Sequence, residues 1–155
     1  MQVDQYVYFA LNSHRTPAAD MTAFLGIEPD EVMVRGSKRA SPPVPVVHAW
    51  QVVCREPGHR VDEQAACVLS RLLPHTERVV DLAHRLDAET EDGTGSAVLE
   101  IVRHLGRTEA VPPVFGAPGL LGWWLDRDAL AFLAATGASL DVDEYDMTPA
   151  PHEEL

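Results

Sequence analysis

Positive charge is scarce in this sequence, with 12 Lys and Arg against 24 Asp and Glu, a formal charge of −12 over 155 residues. The summed field repels phosphate polyanions and anionic lipid, so neither nucleic acid nor a membrane surface is an expected partner. Long apolar runs are also missing, and none approaches the roughly 20 residues a membrane helix needs. The opening MQVDQYVYFALNS has no basic stretch ahead of its apolar run and carries Asp4 inside it, so it does not read as a secretory signal. A cytoplasmic protein is expected. The two cysteines, Cys54 and Cys67, belong to no C-x-x-C pair; they read as buried free thiols, since a free cysteine in a reducing compartment behaves as a small hydrophobe.

The familiar catalytic patterns are absent as well. No H-E-x-x-H, G-x-S-x-G or G-x-G-x-x-G occurs, and the seven histidines are scattered without zinc-finger spacing. A metal site needs three or four convergent ligands and no local run supplies them, so no metal, cofactor or catalytic residue is expected.

The best-specified unit is GWWLDRDALAFLAATGASLDVDEYD, Gly122 to Asp146. Asp126 precedes a helix-forming run and can accept from the free N–H groups of its first turn, while Asp128 sits near the positive end of the helix dipole. Ala129, Leu130, Leu133 and Ala134 recur at helical spacing, and Gly137 follows where a left-handed residue closes the last turn. Ser139 to Tyr145 switches to a two-residue period, with Leu140 and Val142 on one face and Asp141, Asp143 and Tyr145 on the other. With Leu120 to Leu125 as an incoming strand, the unit is strand, helix, strand.

The remainder is punctuated in the same way. Val3 to Leu11 alternates as a strand rich in β-branched and aromatic residues. Thr16 can cap a helix with Pro17 at its first position, and Gly26 ends it. Glu31 to Val34 reads as a short strand, and Ala40 to Pro45 as an extended connection, because its three prolines cannot donate to a sheet. Val46 to Arg55 alternates with both faces fairly apolar, as a central strand does. Val61 to Leu73 and a second piece capped by Thr76 carry helical stripes, interrupted at Pro74. Asp87 to Ser96 is an acidic loop, Ala97 to Leu105 another strand, and Gly106 to Gly119 an irregular Pro/Gly stretch.

Three sets of residues are candidates for contact with something else. Asp141, Asp143 and Glu144 supply local negative charge for a basic partner, and paired carboxylates of this kind share a proton or hold a hard cation when something encloses them. The bland alternative is an edge strand charged against unwanted pairing. His48, Trp50 and Trp124 could line a cleft, with one indole of the Trp123-Trp124 pair entering the core and the other lying in a groove or at a contact; the plainer reading is structural packing for both, since large aromatics dominate core energetics. Arg35, Lys38 and Arg39 form the densest basic cluster, a candidate anion-binding loop that lacks phosphate-loop spacing.

Taken together, the YVYFAL strand, TPAADMTAFLGIEPDEV, the strand carrying His48-Ala-Trp50 and the closing LDRDALAFLAATGASLDVDEYD resemble the uncharacterised bacterial domain-of-unknown-function family 4279, over roughly Asp4 to Tyr145. The resemblance rests on pattern and segment order, and it implies no catalytic residue.

These readings predict a single α+β domain over residues 1–146, followed by a disordered acidic tail at 147–155. Its element order is β-α-β-β-α-β-β-α-β, a two-layer ferredoxin-like arrangement with a mainly antiparallel sheet and helices on one face. The expected function is a non-enzymatic acidic binding domain, neutralising a basic protein such as a toxin. The alternatives are a small-molecule binder or enzyme with a cleft near Trp50 and Trp124, and a structural homodimer.

Overall fold

A computed structural model describes residues 2–106 and 121–149. The elements in order are β1 (Gln2–Ser13), α1 (Ala18–Leu25), β2 (Glu31–Met33), β3 (His48–Cys54), α2 (Val61–Leu72), a 3-10 turn (Leu73–His75), α3 (Thr76–Asp87), β4 (Ala97–Gly106), α4 (Arg127–Thr136) and β5 (Ser139–Asp146). The strands form one five-stranded sheet in the order β2-β3-β1-β4-β5. Three of its pairings are antiparallel and the fourth, β4 with β5, is parallel. The fold is therefore α+β with a mixed sheet.

Alternation along the strands decides what each face does. On β1, Val7, Phe9 and Leu11 are fully buried; their register partners Cys54, Val52 and Trp50 on β3 and Ile101, Leu99 and Ala97 on β4 are buried with them. These residues form one apolar cluster with the inward positions of the helices, among them Met21, Leu69, Val79, Leu86 and Phe132. Phe132 of α4 meets Phe9 edge to face at 5.4 Å between centroids, and Trp50 donates its indole N–H to Thr22 Oγ1 of α1 at 3.1 Å. A buried indole needs such an acceptor, and the helix supplies it.

Several expected boundaries shift. Leu121 to Leu125 form no strand, and Leu120 lies outside the described residues. Both edges of β4 are already taken, by β1 and β5, so this segment finds no ladder there; it leads instead into α4, and Arg60 donates to the Gly122 carbonyl at 3.1 Å. Pro17 stands one place before α1 rather than in it, while the Thr16 hydroxyl donates to Glu89. Thr76 begins α3 after a turn containing Pro74 and donates its hydroxyl to the Leu73 carbonyl. On α4 the inward stripe is Ala129, Phe132, Leu133 and Thr136, which leaves Leu130 54% exposed. Cys54 is buried but Cys67 is exposed, because residues 66 and 67 fall between the inward positions of α2. The Gly106 to Gly119 stretch lies, from residue 107 on, outside the described residues, as does the tail from residue 150.

The caps of α4 stand where the sequence puts them. Asp126 accepts from the Ala129 N–H at 2.8 Å, and Gly137 closes the helix at φ 68°. Asp126→Ala is expected to lower stability by about 1 kcal/mol, the usual worth of such a cap. Urea unfolding reads it directly, and an unchanged midpoint and slope would show that the cap contributes nothing.

Candidate functional site

The face of the sheet turned away from the apolar cluster carries a different chemistry. On β1 the alternation that sends Val7 and Phe9 into the core turns Tyr6 and Tyr8 the other way. Tyr8 is in register with Glu100 on β4, and Glu100 in turn with Asp141 on β5; one step along, Val102 is in register with Asp143. None of these residues belongs to the core cluster. Parallel pairing of β5 on β4 thus sets the two aspartates of the edge strand beside a glutamate of the neighbouring strand. One carboxylate oxygen from each of Glu100, Asp141 and Asp143 lies within 4.8 Å of the other two.

The three acids differ in surroundings. Asp141 and Asp143 are exposed, whereas Glu100 is only 7% exposed and its Oε1 is buried without a hydrogen-bond partner among the described residues. Burial, and then the charges of Asp141 and Asp143, push the Glu100 carboxyl up to about 7. Hydrogen bonding toward Asp143 favours the protonated form in the same direction. The same crowding acts on Tyr8, whose phenol is pushed up to about 12 by burial first and by the charge of Glu100 second. It therefore remains a neutral O–H group at any physiological pH.

Aromatic rings and one neutralised cation frame the acids. Tyr6 and Tyr8 stack at 6.2 Å between centroids, and the Arg55 guanidinium lies 4.0 Å above the Tyr6 ring while pairing with Glu31 at 2.9 Å. At the other end His104 of β4 and Tyr145 of β5 stack at 5.1 Å. A face of carboxylates flanked by aromatic rings suits a cation, by charge and by the negative face of the ring.

A family model matches residues 3–147 of the chain. The chain belongs to the family Domain of unknown function (DUF4279). No curated protein and no solved structure matches this DUF4279 chain.

Within this DUF4279 domain the residues singled out from sequence separate. Asp141 and Asp143 do stand together, but Glu144 points to the opposite face and pairs with Arg103 at 3.4 Å. The cleft expected at His48, Trp50 and Trp124 does not form among the described residues. Trp50 is wholly buried under α1, and His48 accepts from the Arg35 backbone N–H at 3.1 Å. Trp124, 61% exposed, instead lines a groove of ≈ 320 Å³ with Leu69, Leu125, Asp62, Asp126 and Asp128. Trp123 packs against the core while Trp124 does not, so the two indoles divide rather than both packing inside. Arg35 donates to the His14 carbonyl at 2.9 Å, the Lys38 N–H donates to the Val44 carbonyl, and the side chains of Arg35, Lys38 and Arg39 are exposed. No described helix is long and apolar enough to cross a membrane.

Glu100 and Tyr8 escaped the sequence reading. Glu100 is the sole acid within the apolar run Ala97 to Leu105. A lone carboxylate in the otherwise apolar stretch Ala97 to Val102 was the available signal, since such a residue is almost never buried unless paired.

Proposed function

We propose that this chain is a non-enzymatic binding domain that presents an acidic sheet face to a basic protein partner, as a protein that neutralises a toxin would. The observation that carries the reading is the convergence of Glu100, Asp141 and Asp143 within 4.8 Å, beside stacked tyrosines. An Arg or Lys side chain entering there gains from the carboxylates and from the neighbouring ring faces together. The excess of 24 acids over 12 basic residues adds a long-range field that steers such a partner. The cytoplasm is the compartment that suits two free thiols.

The strand order supports a finer description of the scaffold. The first part of the chain, β1-α1-β2-β3-α2-α3-β4, gives the order β2-β3-β1-β4 with antiparallel neighbours, as a ferredoxin-like unit with helices on one face does. In this reading α4 and β5 extend it, and the extension brings two of the three carboxylates.

A partner captured with the tagged chain provides the test. Its association rate is expected to fall as salt rises and to fall by about tenfold or more with Asp141→Lys/Asp143→Lys, because rim charges act chiefly on encounter. A rate indifferent to both salt and reversal would defeat the reading. The second reading, a small-molecule site, then gains weight, favoured by the ≈ 320 Å³ groove beside Trp124.

A further inference from the structure

Exposed aspartates on an edge strand are an ordinary solvated pattern, and Asp141 with Asp143 would be no more than that. Glu100 is the departure. It lies inside the sheet, between β1 and β5, 7% exposed, with Oε1 buried and lacking a hydrogen-bond donor among the described residues. A buried carboxylate oxygen left without a partner is costly, and the same side chain brings one of its carboxylate oxygens to those of Asp141 and Asp143. The nearby arginines are engaged elsewhere: Arg55 with Glu31 and the Tyr6 ring, Arg103 with Gln5 and Glu144 on the opposite face.

We propose that Glu100, Asp141 and Asp143 form a binding site for a hard divalent cation, with calcium the best fit. Calcium takes oxygen ligands at about 2.3–2.6 Å, so two of its ligating oxygens can stand up to about 5 Å apart. The spacing of the three carboxylates, within 4.8 Å, falls inside that limit without movement of the strands. Magnesium, at about 2.0–2.1 Å, would require the oxygens to draw in to about 4 Å. Three carboxylates supply fewer than the six to eight ligands calcium takes, which leaves positions for water and places the site in the weak, roughly 10⁻⁴–10⁻³ M class. The site does not rest on the partner-binding reading, and a bound cation would offset two of the three negative charges a basic partner would meet.

The test uses the full chain freed of metal by a chelator and held at mildly alkaline pH. Calcium chloride is titrated by calorimetry, and terbium(III) is titrated by its luminescence, sensitised by the tyrosines beside Glu100. One saturable equivalent is expected, with calcium displacing terbium. Glu100→Gln and Asp143→Asn are each expected to weaken binding by about tenfold or more, since ligand charge count sets affinity in such sites. Asp62→Asn/Asp128→Asn, in the groove beside Trp124, should leave it unchanged. If Glu100→Gln does not fold by circular dichroism, Asp143→Asn, which alters an exposed residue, decides alone. No saturable uptake at millimolar calcium, or uptake unaltered in the triad variants, overturns the proposal. Partner association is measured in chelator, so either reading can fail without the other.

Discussion

Trp50→Ala is expected to cost about 3–5 kcal/mol, the range for deleting a large aromatic from a packed core. Trp50 is the largest of the fully buried side chains, and it lies on β3 between Leu11 of β1 and Val32 of β2 in the register of the sheet. Removing it leaves a cavity where α1 meets the sheet and strips Thr22 Oγ1 of its indole donor. Trp50→Phe isolates the second effect: it keeps most of the volume and loses the hydrogen bond, for a cost nearer 1–2 kcal/mol. Equilibrium urea unfolding measures both. Trp50→Ala within 1 kcal/mol of the parent would mean that this ring lies against something softer than a packed core, and the cleft reading of Trp50 would return.

The second large effect concerns Glu100 and depends on pH. Its carboxyl is raised from an ordinary 4.5 to about 7 in the folded chain, by burial and by Asp141 and Asp143. Below pH 4.5 both states carry the proton. Between 4.5 and about 7 the unfolded chain has released it while the folded chain still holds it, so folding becomes less favourable as pH rises through that window and levels off above it. The full displacement corresponds to roughly 3 kcal/mol. Glu100→Gln keeps the shape and removes the ionisation. The variant should match the parent near the acid end and exceed it by about 1–3 kcal/mol above neutrality, with chelator present. Unfolding curves at a series of pH values give the difference directly, and a parent that gains on the variant as pH rises would reverse the sign and refute the account.

How much of this was legible beforehand follows from the range of the forces involved. The ends of α4 could be read because a cap is a local device: Asp126 and Gly137 act on the next few residues and nothing else. The faces of β1, β3 and β4 could be read because alternation is local too. Register is not local. That Glu100 stands beside Asp141 depends on β5 adding in parallel to β4, a pairing across some forty positions that no short pattern encodes. The same limit misplaced Trp50, whose strand position was right but whose surroundings are set by α1. The misassigned strand before α4 had the right composition, but both edges of β4 are taken, by β1 and β5.

The parallel docking of β5 also bears on how the molecule opens. This strand buries almost nothing: seven of its eight residues are exposed, and Val142 alone is half-buried against the core. It is held to β4 mainly by its backbone ladder. Amide protons there should exchange through local detachment, at a free energy well below that of global unfolding. Mutual repulsion of Glu100, Asp141 and Asp143 works toward that detachment, and whatever positive species sits among them works against it, by mass action on the closed form. The edge strand is thus a latch whose tightness reports the occupancy of the acids it carries.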